Sequence, residues 1–351
     1  MSGSPFRIKV LVPGATEIGG VAVSGYDTVA YRDEMHEWFD PLGLVWDWCP
    51  VTLATVDRVI SGIAAAREAA EQPLIVFNLC DGDEWDGFPG LSVVAALERH
   101  GLPFTGADTA FYRISSSKRA MKAHFDAAGV AAPPLLPIDD PDADASRVGE
   151  QVGFPCILKL DLGADGLGLD TGSVVSNQAE YLARARTLLA HEEFRRRGIL
   201  AQRFLAGREF SVLVVATPQS GGVMIYPPLE KLYDAGLPLH HRIMFHNCRY
   251  GAAFHAAYQL APDDVAVRLA AIAERAFLAL GGTGYGRVDL RLDAASGEPG
   301  ILEVNANCGL SCDEPTISLT VAAAGQPYHA LVAAILRDAA GRAGLAWPKP
   351  A

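Results

Sequence analysis

Two carboxylates and an amide lie on a pair of apolar stretches near the C-terminus of the chain. Asp289 belongs to GRVDLRLD, and Glu303 and Asn305 belong to ILEVNANCGLS. Because side chains alternate between the two faces of a strand, Glu303 and Asn305 share a face, and Asp289 can lie opposite Glu303 on a paired strand. Two close carboxylates repel each other without a cation, and magnesium prefers hard oxygen ligands. The spacing predicts a magnesium site, although a solvent-facing hairpin turning at 293–300 would carry the same residues.

The apolar residues between these polar ones predict that the opposite face of the strand pair belongs to the core. They are Val288, Leu290, Leu302 and Val304. Arg287 precedes Asp289 by two residues and therefore lies beside the polar cluster. A guanidinium in that place can neutralise an anion that develops during a reaction.

Basic and glycine-rich features earlier in the chain predict an anion site. Lys118 begins a helix after three serines, and Lys159 ends an apolar strand that leads into the glycine-rich turn 163–168. Phosphate oxygens need cations and backbone N–H groups at close range, which lysines and a glycine loop supply. Glu209 follows Gly207 at the head of a later strand. Each feature alone is typical of a solvated side chain or an ordinary turn, but together with the carboxylates they fit a nucleoside triphosphate bound with magnesium.

Composition limits the other classes of function. The chain of 351 residues is half apolar and has a formal net charge of −12, which predicts a folded protein and disfavours nucleic-acid binding. We find no signal peptide and no apolar run of the ~18 residues needed to span a membrane. The six cysteines are scattered without a C-x-x-C pair, which predicts reduced thiols in a cytoplasmic protein. Cys308 and Cys312 have no histidine at ligand spacing, so a metal or nucleophile role is disfavoured for them.

The order of apolar segments predicts an α/β region followed by α+β regions. Buried strands that alternate with helices are typical of a parallel layer, whereas the strand–turn–strand segments after residue 150 indicate antiparallel sheets. We predict strands at 7–14, 74–79 and 103–106, helices at 51–72, 90–101, 115–129, 263–282 and 329–344, and a strand end with a loop at 133–146. The predicted units are an N-terminal domain at 1–114, a central subdomain at 115–205 and a C-terminal subdomain at 206–351.

Six segments, taken in chain order, resemble the ATP-grasp superfamily and in particular the D-alanine–D-alanine ligases. They are VFNLCDGDEWDGFPGLSVVAALERHGLPFTGA, SSSKRAMKAHFDAAGVAAPP, PCILKLDLGADGLGL, AQRFLAGREFSV, GYGRVDLRLD and ILEVNANCGLS. The R-x-D and E-x-N patterns of the last two are the most specific signals. The similarity extends over nearly the whole chain and implies the ATP-grasp fold, in which a parallel α/β domain precedes two α+β subdomains that enclose the ATP site.

The resemblance implies a role for each matching residue. For ATP it implies phosphate contacts from Lys118, Lys159, the glycine loop with Gly166, and Lys231, an adenine contact from Gln202, and ribose contacts from Glu209. For the metal it implies two magnesium ions, with manganese as a possible substitute, held by Asp289, Glu303 and Asn305. For catalysis it implies an oxyanion stabilised by Arg287 and the backbone N–H of Gly309, with Lys231 close by.

The chain departs from the family pattern mainly where the substrates bind. Acids occupy places where the family has serine or histidine, namely Asp81, Asp165 and either Asp313 or Glu314, and Gln202 replaces a glutamate. Glu17 matches loosely the family's acid that meets the substrate amine. An acid placed near a substrate carboxylate repels it by about 4 kcal/mol at ~4 Å and an effective dielectric near 20. The departures therefore predict an acceptor that lacks a free carboxylate or carries an extra positive charge, unless these acids only cap loops in solvent.

We interpret the chain as an ATP-dependent ligase that joins a small carboxylate to an amine through an acyl phosphate, on substrates other than a pair of D-alanines. The alternatives are an intramolecular, cyclising ligase, a D-alanine–D-alanine ligase proper, and a nucleotide-binding homologue without catalysis. The family resemblance implies a homodimer, and the charge and apolar pattern of the chain predict no nucleic-acid or membrane partner. His240, His241 and Arg242 lie where the family has a mobile substrate loop, and the sequence leaves their role open.

Overall fold

A computed structural model describes residues 6–18, 21–23, 26–70, 72–164, 166–217, 222–244 and 257–348, with only the backbone of 16–18 and 21–23. Its strands are β1 (Arg7–Pro13), β2 (Thr16–Ile18), β3 (Val21–Val23), β4 (Val45–Val51), β5 (Leu74–Asn78), β6 (Leu135–Ile138), β7 (Cys156–Leu160), β8 (Val174–Val175), β9 (Ile199–Arg203), β10 (Glu209–Thr217), β11 (Gly222–Ile225), β12 (Leu229–Leu232), β13 (Ala257–Leu260), β14 (Tyr285–Leu292) and β15 (Pro299–Ala306). Its helices are α1 (Val29–Phe39), α2 (Val56–Glu68), α3 (Leu91–Arg99), α4 (Thr109–Ser115), α5 (Lys118–Ala127), α6 (Pro141–Arg147), α7 (Gln178–Leu189), α8 (Glu192–Arg197), α9 (Asp263–Ala279), α10 (Pro315–Ala323) and α11 (Tyr328–Arg342).

The N-terminal part contains a parallel sheet, as the buried apolar strands predict. Its order is β4-β1-β5, and both neighbours of β1 run parallel to it. All five residues of β5 are buried, which is typical of a strand covered on both faces. The short strands β2 and β3 form a separate antiparallel pair.

Two antiparallel sheets follow, which confirms the predicted change from α/β to α+β. The central sheet has the order β6-β9-β7-β8. The C-terminal sheet has the order β13-β12-β10-β14-β15, and β11 pairs with β10. The chain passes between the two sheets through residues 204–208, so β9 and β10 belong to different sheets although they are consecutive.

Three segments differ from the sequence-based expectation. The helix predicted from residue 51 begins only at Val56, and Val51 is still the last residue of β4. Pro50 does not break β4, because β4 lies at the edge of its sheet and an edge strand tolerates a proline. The segment 103–106 forms only an isolated bridge, from Phe104 to Val76. The predicted loop at 133–146 contains α6, in which Asp140 accepts hydrogen bonds from two backbone N–H groups and a proline occupies the first turn.

The core joins the N-terminal helices to the back of the C-terminal sheet. Ile60 and Leu97 from α2 and α3 are fully buried in the same apolar cluster as Val212, Val288 and Val304 from β10, β14 and β15. The face of the sheet with these valines is therefore covered. The polar residues that alternate with them project to the other side.

A β-bulge changes the predicted alternation on β15. Asp289 pairs with Glu303, but the next residue, Leu290, pairs with Ile301, so Leu302 has no partner on β14. Ile301 is fully buried in the core, whereas Leu302 is only partly buried. The assignment of Leu302 to the core was wrong, because an extra residue in one strand re-aims the side chains on either side of it.

No single helix in the described ranges is long and apolar enough to cross a membrane. The consecutive helices α10 and α11 reach that length and composition only when taken together, and they are bent by 100°.

Gly284 is predicted to be a position where alanine is poorly tolerated. Its φ is +65°, and a Cβ added there would lie 2.4 Å from backbone atoms of Gly106. Gly281 has a similar φ of +67° but no atom within 4 Å of an added Cβ. We expect Gly281→Ala to lower the free energy of unfolding by about 1–2 kcal/mol from the left-handed backbone alone. Gly284→Ala should lose about 1–3 kcal/mol more from overpacking.

Urea denaturation of both variants measures this difference. Equal losses for Gly281→Ala and Gly284→Ala would contradict the close packing of Gly284 against Gly106.

Candidate functional site

The strand register places the polar residues of β14 and β15 side by side. Asp289 pairs with Glu303, and Arg287 pairs with Asn305. On the other side of β14, Ser211 of β10 pairs with Asp289. The four charged and amide side chains therefore form one polar surface on the side of the sheet that faces away from the valine core.

Asp289 is held by three donors. Arg287 donates to its carboxylate through Nε at 3.0 Å and Nη2 at 2.9 Å, Asn305 donates through Nδ2 at 2.7 Å, and Ser211 donates through Oγ at 2.6 Å. Asp289 is 9% exposed, so a lone charge there would be costly and the guanidinium compensates it. Burial lowers the pKa of Arg287, but Asp289 outweighs burial and raises it further. Ser211 was not predicted from the sequence; its position two residues after Glu209 was the available signal.

Glu303 faces the two lysines that the sequence singled out. Its Oε2 lies 3.5 Å from the Nζ of Lys118. Burial raises the pKa of Glu303, but Lys118, Lys159 and Arg287 outweigh burial and hold it below the ordinary value. Lys118 also donates to the carbonyl of Gly163 at 2.9 Å, which ties the start of α5 to the glycine-rich turn.

Lys159 is the least compensated cation of the site. Its ammonium makes no hydrogen bond and no ion pair with the residues that the structure describes. Burial lowers the pKa of Lys159 to about 8, and the nearby charge of Lys118 lowers it as well. Two neighbouring lysines that repel each other form a place where an anion would be stabilised.

Glu209 lies at the centre of a second charged cluster, at the start of β10. Its carboxylate accepts from Lys231 Nζ at 2.7 Å, Tyr233 Oη at 2.8 Å and Arg291 Nε at 2.9 Å. Burial raises the pKa of Glu209, but Lys231 and Arg291 outweigh it and lower the pKa to about 2. Tyr233 and Arg291 were missed from the sequence. The signal for Arg291 was its alternation with Arg287 and Asp289 along β14.

Lys231 remains a cation in this cluster. Burial lowers its pKa, but Glu209 and Asp289 outweigh burial, and its pKa lies above the ordinary value. Gln202 lies on β9 of the central sheet, where its backbone pairs with Ile157 of β7. It is 2% exposed, and its amide makes no side-chain hydrogen bond with the described residues. An amide in that state has both donor and acceptor capacity for a ligand.

The loop after β15 carries Gly309 and Glu314. A Cβ added at Gly309 would meet no atom within 4 Å, so its backbone borders open space. Glu314 is partly buried and accepts from Thr316 Oγ1 at 2.9 Å. Glu314 also raises the pKa of Arg287, after the larger effects of Asp289 and Cys308, so it lies within electrostatic reach of the guanidinium.

The cysteines of this loop are poor nucleophiles. Burial raises the pKa of Cys308 to about 12 and that of Cys312 to about 11. A thiolate is the reactive form, and neither thiol forms one readily near neutral pH.

Some predicted substrate residues are not brought to this site by described contacts. Asp313 is exposed, and its backbone N–H donates to Ser311 Oγ at 3.1 Å within a turn. Glu17 lies on β2, opposite Ala22 of β3, and its side chain is outside the description. Asp165 lies outside the described residues, between Ala164 and Gly166. Gly166 itself has a φ of +69°, which permits the tight turn of the glycine-rich loop.

Asp81 and the segment around residue 240 border the site from other directions. Asp81 contributes to the raised pKa of Tyr285 and of Cys308, after the larger effect of burial. The carbonyl of Arg242 accepts from Arg291, and the Arg242 side chain donates to the carbonyls of Leu237 and Ala235. Arg242 thus stabilises its own segment.

The donor set fits a hard divalent cation. Asp289 and Glu303 supply carboxylate oxygens, and Asn305 supplies an amide oxygen, all on one surface. Within the described ranges, no cluster of three or more His, Cys, Asp or Glu residues has metal-binding geometry. A site of two carboxylates and one amide is not a cluster of that kind. Such a set is typical of a magnesium ion whose coordination is completed by phosphate oxygens.

The chain was compared with known protein families and curated proteins. Residues 125–337, more than half of the chain, match the family model described as D-ala D-ala ligase C-terminus. The D-alanine–D-alanine ligase of Bordetella petrii is 29% identical over 70% of this chain and 70% of its own length. The D-alanine–D-alanine ligase of Chromohalobacter salexigens is 29% identical over 80% of this chain and 81% of its own.

Solved structures share the fold over almost the whole chain. The D-alanine–D-alanine ligase from Bacillus anthracis complexed with ATP superposes with a TM-score of 0.66, 16% identity and coverage of 96% of this chain and 98% of that one. The D-alanyl-alanine synthetase A from Vibrio cholerae gives a TM-score of 0.67 at 15% identity, with coverage of 95% and 98%. These similarities identify the ATP-grasp fold.

The pKa of Lys159 should depend on its lysine neighbour. Replacing Lys118 by methionine removes a repelling charge, so the pKa of Lys159 should rise above about 8 toward the ordinary 10.5. Because the folded-state pKa is depressed, the charged lysine costs stability below pH 8, and stability is regained as the pH rises from 8 to 10.5. NMR titration of ¹³C-methylated lysines measures the pKa.

Lys122→Met is the matched control, because Lys122 lies on the same helix but pairs with Asp126. An equal shift of the Lys159 pKa in both variants would contradict the proximity of Lys118.

Proposed function

The chain belongs to the family of the D-alanine–D-alanine ligase C-terminal domain, and on that premise we propose that it activates a small carboxylate with ATP and joins it to an amine. It is an ADP-forming carboxylate–amine ligase with the ATP-grasp fold. The observation that carries the proposal for its site is the facing pair of Asp289 and Glu303, surrounded by Lys118, Lys159 and Arg287. Paired carboxylates beside three cations, of which Lys159 has no partner among the described residues, suit a metal-bound polyphosphate.

The phosphate end of ATP is assigned to this pair and its cations. We propose that Asp289, Glu303 and Asn305 hold two magnesium ions. A metal held by these residues would supply positive charge against the charge that develops on phosphoryl transfer. Lys118 and Lys159 hold phosphate oxygens from the opposite side, and the backbone N–H groups around Gly166 cover them.

The nucleoside end is assigned to the junction of the central and C-terminal sheets. The Gln202 amide would accept a hydrogen bond from the adenine amino group, and Glu209 would accept one from a ribose hydroxyl. Glu209 already accepts three hydrogen bonds, which leaves capacity among its four lone-pair sites for one ribose hydroxyl. Lys231 and Arg291 keep this carboxylate ionised, so it acts as an acceptor only.

The chemistry follows in two transfers. The substrate carboxylate attacks the terminal phosphorus of ATP, which releases ADP and forms an acyl phosphate. The amine then attacks the acyl carbon, phosphate leaves with the electron pair of the broken C–O bond, and the amine loses a proton. Arg287 and the N–H of Gly309 stabilise the oxyanion of the tetrahedral intermediate, and Lys231 adds positive charge nearby. A closed glycine loop excludes water, which would otherwise hydrolyse the acyl phosphate.

Neutralising either carboxylate should abolish most of the activity. We expect Asp289→Asn and Glu303→Gln each to lower kcat by about 10²–10³, as for the loss of one group that stabilises transition-state charge. Circular dichroism should show an intact fold, because both side chains lie on the polar surface. ADP release, coupled to a reporter enzyme, measures turnover.

Glu298→Gln is the matched control, because Glu298 lies in the exposed turn of the same strand pair and is 70% exposed. Turnover close to that of the unmodified protein in either Asp289→Asn or Glu303→Gln would remove the metal role from that residue.

For the substrates, we propose a pair other than two D-alanines. Support comes from two acids whose charges act on residues of this site. Glu314 lies within electrostatic reach of Arg287, and Asp81 lies within electrostatic reach of Cys308. Asp313 gives less support for this substrate proposal than the sequence suggested, because its side chain is exposed to solvent. D-alanine–D-alanine ligase activity is the second candidate, favoured by the names of the relatives at 29% identity. An intramolecular attack that gives a cyclised product is a third, which the product mass distinguishes.

The acceptor preference can be tested at Glu314. A like charge at ~4 Å repels by about 4 kcal/mol at an effective dielectric near 20. Half of that value still exceeds a tenfold penalty in KM, since each 1.4 kcal/mol is about tenfold. We expect little D-alanyl-D-alanine from the unmodified protein, better turnover with an amine that lacks a carboxylate, and a shift toward carboxylate-bearing acceptors in Glu314→Ser. Product masses from an amine panel measure this.

Asp313→Ser is the matched control, because Asp313 lies in the same turn but is exposed. Efficient D-alanyl-D-alanine synthesis by the unmodified protein at millimolar D-alanine would overturn the substrate proposal and support the second candidate. The homodimer is a proposal that rests on the family resemblance, and the cytoplasmic location is a proposal that rests on the scattered cysteines.

A further inference from the structure

A carboxylate of the N-terminal part accepts two hydrogen bonds from the loop that carries Gly309. Glu34 lies on α1, and its Oε1 accepts from Ser311 Oγ at 2.7 Å while its Oε2 accepts from the backbone N–H of Cys312 at 2.7 Å. The two segments are 277 residues apart in the sequence. Both oxygens of one carboxylate are therefore used to hold two consecutive residues of a distant loop.

The loop has no regular secondary structure of its own to fix its shape. Residues 307–314 lie between β15 and α10 and contain only turns and irregular backbone. A second anchor is the hydroxyl of Tyr328, on α11, which donates to the carbonyl of Leu310. The ring of Tyr328 stacks on Trp38 of α1, with centroids 5.5 Å apart. The helix that carries Glu34 thus also supports the second anchor.

The anchors fix the three residues that directly follow Gly309. Leu310 is fully buried, and Gly309 borders open space. Fixing the Leu310 carbonyl and the two residues that follow leaves the Gly309 N–H little freedom to rotate. Hydrogen bonds to an ionised carboxylate are about twice as strong as neutral ones, which suits a restraint on a single loop.

We propose that Glu34 is a positioning residue that holds the Gly309 N–H in the direction of the reacting oxyanion. The inference rests on the proposed role of Gly309. Oxyanion donors are effective because they are oriented before the reaction, and a displacement of about 1 Å costs on the order of 10² in rate. Glu34 touches neither substrate nor nucleotide in this assignment; it acts through Ser311 and Cys312.

The test compares two substitutions at the same position. Glutamine can accept from the Cys312 N–H through its oxygen and donate to Ser311 Oγ through its nitrogen, because a hydroxyl is both donor and acceptor. Glu34→Gln should therefore keep kcat within about threefold of the unmodified protein. Glu34→Ala should lower kcat by roughly 10–100-fold and leave KM for ATP within about twofold, because the proposed nucleoside contacts come from Gln202 and Glu209 and not from this loop.

A matched control and an independent readout complete the design. Glu37 lies one turn further along α1, is exposed, and makes no hydrogen bond or ion pair with the described residues, so Glu37→Ala should be unchanged. Amide hydrogen exchange in 309–313 should be faster in Glu34→Ala than in Glu34→Gln. This readout follows the loop without requiring turnover.

Each outcome decides the inference. It is overturned if Glu34→Ala keeps kcat within twofold, if glutamine fails to restore activity in a folded protein, or if the exchange of 309–313 is unchanged. A Glu34→Ala protein that loses kcat and ATP affinity together would show a merely structural role. Turnover of the unmodified protein and its loss in Asp289→Asn test the proposed function separately, so either can fail without the other.

Discussion

The compensation of buried carboxylates is the constraint on which the rest of the site depends. Asp289 and Glu209 are nearly excluded from water, and an ionised carboxylate in such a place is costly without a cation or hydrogen-bond donors. Arg287 neutralises the first, and Lys231 together with Arg291 neutralises the second. Glu303 depends mainly on Lys118 and Lys159, which lie in neighbouring segments of the chain. Beside Glu303, the ammonium of Lys159 has no partner among the described residues, and this is where an anion is expected.

The strand register brings these opposite charges together. Across β10 and β14, Glu209 pairs with Arg291 and Ser211 pairs with Asp289, so acid, hydroxyl and base alternate on one surface. A slip of one residue would turn this whole set into the valine core, which makes the register strongly specified. The bulge at Leu302 then brings Ile301 into the core and leaves Glu303 facing Asp289.

Three parts of the chain meet at the site, and each contributes a different kind of group. The central sheet and the start of α5 supply Lys159 and Lys118. The C-terminal sheet supplies the carboxylates, the arginines and Lys231. Helix α1 supplies Glu34, which accepts hydrogen bonds from the loop after β15. The apolar core is continuous from α2 and α3 to the back of the C-terminal sheet. Packing behind the sheet and polar contacts in front of it keep the side chains of the proposed site in fixed positions.

The sequence by itself determined the local features of this protein. Period-two alternation predicted that Glu303 and Asn305 share a face, and apolar runs predicted the parallel and antiparallel regions, because both follow from backbone geometry within a few residues. Only the tertiary structure decided the bulge at Leu302 and the pairing of Arg291 with Glu209. It also decided the exposure of Asp313 and the hydrogen bond from Ser311 to Glu34. These depend on strand register and on contacts between residues far apart in the chain, and neither propensity nor spacing encodes which distant partner a side chain will meet.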